Sequence, residues 1–470
     1  MKTSIDVRNM CEEHQIKMID FKMIDINGRW HHVTIPVARF TEDIFTYGIG
    51  FDGSNYGFAP VEKSDMVFIP DPDTAAVDPF AEIPTLTMSG DVCVIGKDSN
   101  TPFDQYPKNV CKKSVEYMKE QGVADEMLIG PEFEFYLLDH VSYQVTPQKS
   151  AYHLDTRQAE WNSGRDDIAN NGYEVGYKGG YHAAAPQDIG FDLRNQMCLA
   201  LEDWGVKVKY HHHEVGGPGQ MEIEVELGDL VSMADNTMVI KYVIKNTAAK
   251  AGKTATFMPK PIYGISGSGM HLNMSLFRNG KNVFYSPTGE RELSPEAYAF
   301  IAGLLAHVRG FTAVTNPLVN SYKRLVSGHE APCYVAWSTS NRSALIRIPA
   351  HRREGTRVEL RSPDPTCNPY LALAVTLAAG LDGIERFMTP PSEVKENLYA
   401  MDEAGRRAKG VETLPRDLNE ALELMRQDKL VMDTLGEHVA QAFLRSKQAE
   451  WEAYKAHVPA WEIDKYMIAY

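Results

Sequence analysis

Residues 130–136 read Gly-Pro-Glu-Phe-Glu-Phe-Tyr, an apolar segment that carries two acidic residues one position apart. Side chains alternate along a β-strand, so Glu132 and Glu134 point to the same face. The flanking runs at 127–129 and 137–138 are apolar, which predicts that the strand is buried. Two buried, unpaired carboxylates would cost much free energy, and a divalent cation between them would remove that cost. The alternative is an ordinary carboxylate pair at a sheet edge, held by arginine or lysine, and this segment alone does not decide.

Three later segments place further metal-ligand residue types on short strands. They contribute Glu214 after a run of three histidines, Glu222 after a Gly/Pro turn, His271 in a strand that also carries Asn273 and Ser275, and Glu359 between Arg357 and Arg361. Strand geometry divides the three histidines 211–213 between two faces, and none of them is assigned as a ligand. Each segment alone fits an ordinary strand with a polar face, but five carboxylates and one imidazole together predict a site for a hard cation, Mg²⁺ or Mn²⁺.

The bulk composition excludes several classes of protein. The chain has 470 residues, enough for two domains, and a formal net charge of −15. That charge argues against a nucleic-acid or anionic-membrane partner, because both need a basic surface. The six cysteines are scattered without a CxxC pair, the N-terminus lacks an apolar signal core, and no apolar run spans a bilayer. These features predict a cytoplasmic protein.

The order of segments predicts an α+β protein of two domains. A hairpin is expected around Asn27-Gly28, residues 50–80 are expected to form an ordered loop, and the Pro102–Pro107 stretch is the expected boundary. The prediction is therefore a small β-rich domain at 1–105 and a larger α+β domain at 106–470. Residues 141–178 are polar and poorly periodic and predict a surface excursion. Helical spacing is found at 188–204, 229–251, 295–309, 368–387 and 430–457.

The motifs, taken in order from about residue 15 to the C-terminus, resemble those of type I glutamine synthetases. The matching segments are Phe51-Asp52-Gly53-Ser54, Gly130-Pro131-Glu132, Lys178-Gly179-Gly180-Tyr181, His211-His212-His213-Glu214-Val215, residues 253–261, Gly267-Ser268-Gly269-Met270-His271, residues 320–325, Glu330-Ala331-Pro332, Asn341-Arg342-Ser343, Arg357-Val358-Glu359-Leu360-Arg361 and Asn368-Pro369-Tyr370. Each motif is weakly specific, but the complete ordered set is highly specific.

The resemblance implies a fold, a reaction and an assembly. It implies an N-terminal β-grasp-like domain packed on a larger catalytic α+β domain. It implies ATP-dependent ligation of ammonia to glutamate through γ-glutamyl phosphate, with Mg²⁺ or Mn²⁺ as cofactor and ATP as co-substrate. It further implies a homododecamer of two hexameric rings, with active sites between neighbouring subunits.

The resemblance also implies a role for each matched residue. One metal would be held by Glu134, Glu214 and Glu222, and the other by Glu132, His271 and Glu359. Glutamate would contact Ser266, Gly267, Arg324, Glu330, Arg342 and Arg361. ATP would contact the Lys209 backbone, Asn273, Ser275, Arg342, Arg347 and Arg357. Ammonium would bind at Asp52, Asn55, Tyr181 and Glu214. In catalysis, Asp52 would be the base, Glu330 would lie in a flap that excludes water, and Arg342 would stabilise phosphoryl transfer.

Four positions at the site depart from the usual family pattern, and two other functions remain as alternatives. Asn55 stands where a second serine is usual and Ser266 where asparagine is usual; in the flap, Ser327 replaces proline and His329 replaces tyrosine. These changes concern substrate preference rather than the metal ligands. The alternatives are a γ-glutamyl ligase that uses a larger amine, such as a polyamine, and a non-catalytic family member. Tyr399 resembles a residue that is adenylylated in one subgroup, and we expect it to be unmodified here because the tail resembles the other subgroup.

Overall fold

The N-terminal part of the computed structural model is built from short strands. The structure describes residues 2–59, 62, 64–96, 100–167 and 171–470. The helices and strands before residue 106 are α1 Ser4–Glu13, β1 Met18–Ile24, β2 Trp30–Pro36, α2 Ile44–Tyr47, β3 Ile49–Asp52, β4 Asp65–Pro70, β5 Ala76–Val77, β6 Thr85–Met88, β7 Gly90–Val94 and β8 Thr101–Pro102. In the described residues they form two four-stranded sheets, ordered β2-β1-β6-β5 and β3-β4-β7-β8.

The hairpin at Asn27-Gly28 is confirmed. Strands β1 and β2 pair antiparallel from Met18 opposite Pro36 to Ile24 opposite Trp30. Gly28 has a φ of +82°, and a Cβ there would lie 2.8 Å from the Cα of Asn368. The Asn368 side chain in turn donates to the carbonyl oxygens of Asp25 (3.0 Å) and Ile26 (3.3 Å). The tip of the hairpin is therefore fixed against the larger part of the protein.

A single large sheet carries the acidic segments in the rest of the chain. Its longest strand, β9 (Glu126–Leu138), lies between β13 and β16 in the order β12-β13-β9-β16-β21-β20-β19, given for the described residues. The other strands of this sheet are β12 Val208–His213, β13 Gln220–Val225, β14 Gly228–Asp229, β15 Thr254–Thr256, β16 Met270–Arg278, β17 Lys281–Asn282, β19 Trp337–Ser338, β20 Ile346–Arg347 and β21 Val358–Leu360. Two separate pairs are formed by β10 His140–Thr146 with β11 Lys149–Asp155 and by β18 Tyr334–Val335 with β22 Glu412–Thr413. The neighbours of β9 on both sides are antiparallel to it, and its side chains are mostly buried.

Helices pack behind this sheet and form most of the core. They are α3 Pro107–Glu120, α4 Phe191–Asp203, α5 Leu230–Lys250, α6 Pro295–Thr315, α7 Ser321–Arg324, α8 Pro369–Glu385, α9 Glu403–Ala408, α10 Leu418–Gln427, α11 Lys429–Leu435, α12 Glu437–Lys455 and α13 Ala460–Tyr466. Among the described residues, α6 has the length and apolar composition that a membrane span would need, but 78% of its most apolar window is buried inside the fold. It packs along α8, and we assign it as a core helix.

Three expectations from the sequence differ from the structure. Residues 50–80 are not one loop, because they contain the end of β3 together with β4 and β5; residues 60, 61 and 63 of this stretch lie outside the described part. The 141–178 excursion does lie at the surface, but it begins with the paired strands β10 and β11; residues 168–170 are outside the description. The helical pattern at 430–457 is two helices, because Gly436 takes a φ of +76° between α11 and α12.

Candidate active site

Strand register brings the acidic residues of the large sheet into one patch. Glu222 of β13 is paired with Glu134 of β9, and Glu132 of β9 is paired with His271 of β16. Residues opposite each other on antiparallel strands have Cβ atoms about 4.5–5.5 Å apart and share a face. On the far side of β16, Asn273 is paired with Glu359 of β21. Alternation along each strand and pairing between strands therefore create the patch.

The first cluster of possible metal ligands consists of Glu132, His271 and Glu359. One ligand atom from each lies within 4.8 Å of the other two. His271 Nδ1 is 2.8 Å from Glu132 Oε2 and 3.8 Å from Glu359 Oε1. Burial, followed by the charge of Arg361, lowers the pKa of His271 to about 3, so the imidazole is neutral and able to act as a ligand. These are the three residues that the family resemblance implies for one metal.

The second cluster differs in one member from the expected set. Glu214 and Glu222 are brought together as expected, but the third residue within the same 4.8 Å is His212. The Nε2 atom of His212 is 3.2 Å from Glu222 Oε1. Glu134 instead accepts a hydrogen bond from the backbone N–H of Gly269 at 2.6 Å, and its other oxygen is 3.9 Å from His271 Nε2. Glu134 thus lies between the two clusters.

The two carboxylates of the second cluster lie where neighbouring groups supply too little positive charge to neutralise them. Burial, with the charges of Glu134 and Glu222, raises the pKa of Glu214 to about 8. Burial, with the charges of Glu132, Glu134 and Glu224, raises the pKa of Glu222 well above its usual range. Like charges in a buried site resist joint ionisation. Carboxylate and imidazole donors in this arrangement fit divalent cations, which would supply the missing charge.

Three of the predicted arginines surround the clusters, with different partners. Arg361 donates to Glu359 Oε1 at 2.8 Å, and Arg347 donates to Glu359 Oε2. Arg324 is buried and donates to the carbonyl oxygens of Ser362 (2.7 Å), Arg361 (3.1 Å) and Pro363 (3.3 Å). These bonds fix the guanidinium of Arg324 at the wall of the site. Arg342 is exposed, and its side chain lies at the mouth.

The residues expected to hold nucleotide lie beside the first cluster. Arg357 donates to Asn273 Oδ1 at 2.9 Å, and Asn273 Nδ2 donates to Glu132 Oε1 at 2.9 Å. Ser275 is buried further along β16 and donates to the carbonyl of Thr356 at 2.9 Å. Lys209 lies on β12 with its ammonium 2.5 Å from Glu224 Oε1.

Glu330 belongs to an exposed segment that closes one side of the site. It has a φ of +57°, accepts a hydrogen bond from Ser266 Oγ at 2.6 Å, and pairs with Lys178 Nζ at 2.7 Å. His329 Nδ1 lies 3.1 Å from the Tyr177 hydroxyl. The segment 327–330 is thus held by the loop at 177–178. Ser266 and His329, two of the positions that depart from the family pattern, take part in this closure.

A cavity of about 820 Å³ opens over both metal-ligand clusters. Its walls include fourteen of the residues predicted for the site: Glu132, Glu134, Tyr181, Glu214, Glu222, Ser266, Gly267, His271, Arg324, Glu330, Arg342, Arg347, Glu359 and Arg361. Lys209, Asn273, Ser275 and Arg357 are not part of the wall, although Asn273 donates to Glu132 of the wall and accepts from Arg357.

Asp52 and Asn55 lie apart from the cavity of their own chain. Both side chains are exposed in the N-terminal part. Asp52 accepts hydrogen bonds from the Ser54 hydroxyl (2.7 Å) and backbone (2.9 Å) and from Asn55 Nδ2 (2.9 Å). The Ser54 hydroxyl and then its backbone N–H are the first causes of the lowered pKa of Asp52. The carboxylate is thus ionised and oriented, but it does not line the cavity of its own chain.

Three further residues at the site were not found from the sequence. His212 is one of three adjacent histidines, and only its pairing with Glu222 shows which of them faces the site. Glu224 is buried beside the clusters; the alternation Met221-Glu222-Ile223-Glu224 was a usable signal for it. Lys178 lies far from Glu330 in sequence, and no local pattern connects the two.

Two family models together match most of the chain. Residues 104–466 match the model described as the catalytic domain of glutamine synthetase, and residues 15–94 match its beta-grasp domain. The chain is 42% identical over 473 residues to the glutamine synthetase of Clostridium saccharobutylicum and 43% identical over 471 residues to that of Thermus thermophilus. Both comparisons cover 100% of this chain and 99% of the relative.

Solved structures of similar fold agree with these matches. The Plasmodium falciparum glutamine synthetase superposes with a TM-score of 0.87 at 26% identity, covering 99% of each chain. The ADP complex of GmaS superposes with a TM-score of 0.81 at 30% identity, covering 98% of this chain and 99% of the other. The matched fold is an N-terminal β-grasp domain followed by a catalytic domain.

Proposed function

The chain belongs to the glutamine synthetase family and catalyses the ATP-dependent ligation of ammonia to glutamate, and on this premise we propose how its residues divide the work. We assign the site mainly from one observation. Two carboxylate-rich clusters lie on neighbouring strands under one cavity that is lined with arginines. Family membership implies a divalent metal, and we propose Mg²⁺ or Mn²⁺ because the donors are mainly carboxylate oxygens.

The first cluster is proposed to hold one ion with Glu132, His271 and Glu359. The second is proposed to hold another with Glu214 and Glu222, joined by Glu134, His212 or both. When bound, such ions neutralise phosphate charge and polarise the phosphoryl group. Arg347 and Arg361 fix the Glu359 carboxylate from both sides. Asn273 fixes Glu132 in the same way.

We propose that glutamate and ATP meet between the two clusters. Arg324, Arg361 and Arg342, with Ser266, Gly267 and Glu330, would hold glutamate; forked guanidinium groups suit carboxylates. Arg342, Arg347, Arg357, Asn273, Ser275 and the Lys209 backbone would hold ATP, and Arg357 and Asn273 are already joined by a hydrogen bond of 2.9 Å beside the first cluster. A γ-carboxylate oxygen of glutamate attacks the γ-phosphorus, the bond to the β-phosphate oxygen breaks, and ADP leaves. Arg342 stabilises the charge that develops on the transferred group.

The second step needs ammonia inside a closed site. Asp52, Asn55, Tyr181 and Glu214 are proposed to bind ammonium, and Asp52 to accept a proton from it. The freed ammonia attacks the acyl carbon, the carbon–oxygen bond to phosphate breaks, and the nitrogen loses a second proton to the departing phosphate, which gives glutamine and phosphate. The flap with Glu330 excludes water, since hydrolysis of the acyl phosphate would waste ATP.

Asp52 lies outside the cavity of its own chain, and we propose that it serves the site of a neighbouring subunit. This arrangement requires an oligomer, for which we propose a dodecamer of two hexameric rings. We further propose a cytoplasmic location, a domain boundary at 105/106 and an unmodified Tyr399. The hydroxyl of Tyr399 donates to the Ala331 carbonyl at 2.8 Å beside the flap.

The deciding experiment measures phosphate release from ATP with Mg²⁺ and glutamate, with and without ammonium, and with a polyamine in its place. Release that depends on ammonium, with an equal amount of glutamine formed, supports the proposed division of roles. Release only with the polyamine would contradict the ammonium site at Asp52 and Tyr181. A Glu359→Gln variant, which keeps the shape of the side chain, should abolish release under every condition.

A further inference from the structure

A second cavity, of about 690 Å³, lies away from the active site. The tip of the β1–β2 hairpin forms one wall, α5 a second, and α12 a third, and residues 365–366 close the remaining side. It shares no lining residue with the active-site cavity. Its volume is within the range of about 300–1,000 Å³ that is usual for small-molecule sites.

Uncompensated positive charge is the main property of this cavity. Arg29, Lys241 and Lys245 line it, and within the described part of the chain none of the three side chains forms an ion pair. A fourth cation, Lys447, is buried and is matched by Glu450, 3.1 Å away. The chain as a whole has a net charge of −15, so this cluster is a local exception. Walls of one charge sign focus the potential and attract small ions of the opposite sign.

The three cations also affect one another. Lys241 Nζ donates one hydrogen bond, to the Pro365 carbonyl at 3.1 Å. Burial lowers the pKa of Lys241 to about 8; the charge of Lys245 adds to this effect, and Cys367 and Asp364 oppose it. Lys245 is exposed at the rim, where partial desolvation and the charge of Arg29 lower its pKa in turn. An anion between them would remove this repulsion and satisfy the unused N–H donors.

Aromatic surfaces and a fixed hairpin complete the walls. Trp30 and Tyr242 pack with ring centroids 5.7 Å apart, and the buried ring of Phe257 lies under Lys245 Nζ at 5.8 Å. The hairpin tip is held by Asn368, and Ser446 Oγ donates to Asn27 Oδ1 at 3.2 Å. Walls that are already fixed lose little conformational entropy when a ligand binds.

We propose that this cavity is a second ligand site, which binds a small organic anion carrying at least two negative charges on carboxylate or phosphate groups. Arg29 and Lys245 bind the charged groups from the rim and Lys241 from the interior. Trp30, Tyr242 and Phe257 contact the body of the ligand. The proposal does not depend on which residues perform catalysis, since the two cavities are separate.

The test uses isothermal titration of the whole, oligomeric protein with three probes of similar charge: inorganic phosphate, succinate and AMP. The affinities of phosphate and succinate distinguish a phosphate ligand from a dicarboxylate. Comparison of AMP with phosphate shows whether the adenosine group adds affinity. The variant is Arg29→Gln with Lys245→Gln, both at exposed positions, and the matched control is Lys119→Gln on the exposed face of α3. An Arg342→Gln variant separates binding at the active site.

We expect at least one probe to bind about tenfold more weakly to the double variant than to Lys119→Gln, while Arg342→Gln keeps that binding. Thermal midpoints within about 2 °C of the parent protein establish that the double variant is folded. The proposal is overturned if no probe binds, or if the double variant binds every probe as tightly as Lys119→Gln does. It is also overturned if Arg342→Gln loses the binding of the probes while the double variant keeps it.

Discussion

Glu132 and His271 face each other across β9 and β16, with Glu132 Oε2 2.8 Å from His271 Nδ1. The Glu132 carboxylate also accepts from Asn273, so each of its oxygens has a defined partner. These two partners would hold the Glu132 carboxylate in position for the ion that we propose at the first cluster.

Replacing that carboxylate tests the first metal cluster. Glu132→Gln keeps the hydrogen bond to His271 but removes the charge, and we expect glutamine formation to fall by at least about 100-fold. The matched control is Glu126→Gln, an exposed residue on the same strand, which should retain full activity. Steady-state kinetics with Mn²⁺ titration measures both. Equal activity of the two variants would remove Glu132 from the cluster.

His212, rather than its neighbours in the histidine run, should contribute to the second cluster. Its Nε2 lies 3.2 Å from Glu222, whereas His211 is bonded to Asn195 and Arg194 away from the site. We expect His212→Ala to weaken Mn²⁺ binding by about tenfold and His211→Ala to leave it unchanged. Electron paramagnetic resonance of free Mn²⁺ gives both affinities. If the two variants lose the same affinity, the register argument for His212 fails.

The Lys178–Glu330 pair is expected to keep the flap closed during the acyl-phosphate stage. Both side chains are about two-fifths exposed, so the pair contributes only about 0–1 kcal/mol of stability. Its effect should instead appear in the coupling of ATP cleavage to glutamine formation. Lys178→Gln should raise the ratio of phosphate released to glutamine formed. Lys149→Gln, an exposed residue of β11, is the charge-matched control. A ratio of one in both variants would show that the pair does not exclude water.

His307 gives the helical core a pH-dependent contribution to stability. It lies between Asp428 (2.8 Å) and Asp382 (3.0 Å), and although burial opposes its charge, these two hydrogen bonds raise its pKa above 6.5. The folded state therefore binds the proton more tightly than the unfolded state. This stabilisation is complete below about pH 6.5 and is lost as the pH rises through the higher folded-state pKa.

A comparison of melting temperatures tests this contribution. The difference between the parent protein and His307→Gln should be larger at about pH 6 than at about pH 9. His438→Gln is a suitable control because the half-buried His438 contacts the backbone carbonyl of Gly57 at 3.2 Å, whereas His307 lies between two carboxylates. A pH-independent difference for His307→Gln would show that the histidine acts through packing alone.

The sequence was sufficient for the parts of the fold that depend on local patterns. Alternating acids on β9, alternating polar residues on β16, the Asn27-Gly28 turn and the helix within 368–387 follow from residue spacing and turn chemistry. What depends on pairing between distant segments was not visible. Strand register selects His212 from its run, and the Lys178–Glu330 contact joins residues with no common pattern. The helix break at Gly436 could not be predicted from apolar spacing, because that spacing continues across it. Only the positive φ of Gly436 in the structure shows where the helix ends.

Asp52 and Glu359 offer a test of whether one active site uses residues from two subunits. Asp52 lies outside the cavity of its own chain, whereas Glu359 is buried within it. Asp52→Asn and Glu359→Gln should each be inactive alone. The two variants are then mixed and reassembled into oligomers. A site is complete where an Asp52→Asn subunit, which keeps Glu359, lies next to a Glu359→Gln subunit, which keeps Asp52. Equal, random mixing should therefore restore about one quarter of the parental activity if each subunit contributes one residue to each site. Refolding each variant alone is the control for reassembly. If activity does not recover although mass spectrometry verifies that the subunits have mixed, Asp52 and Glu359 act in the active site of the same subunit.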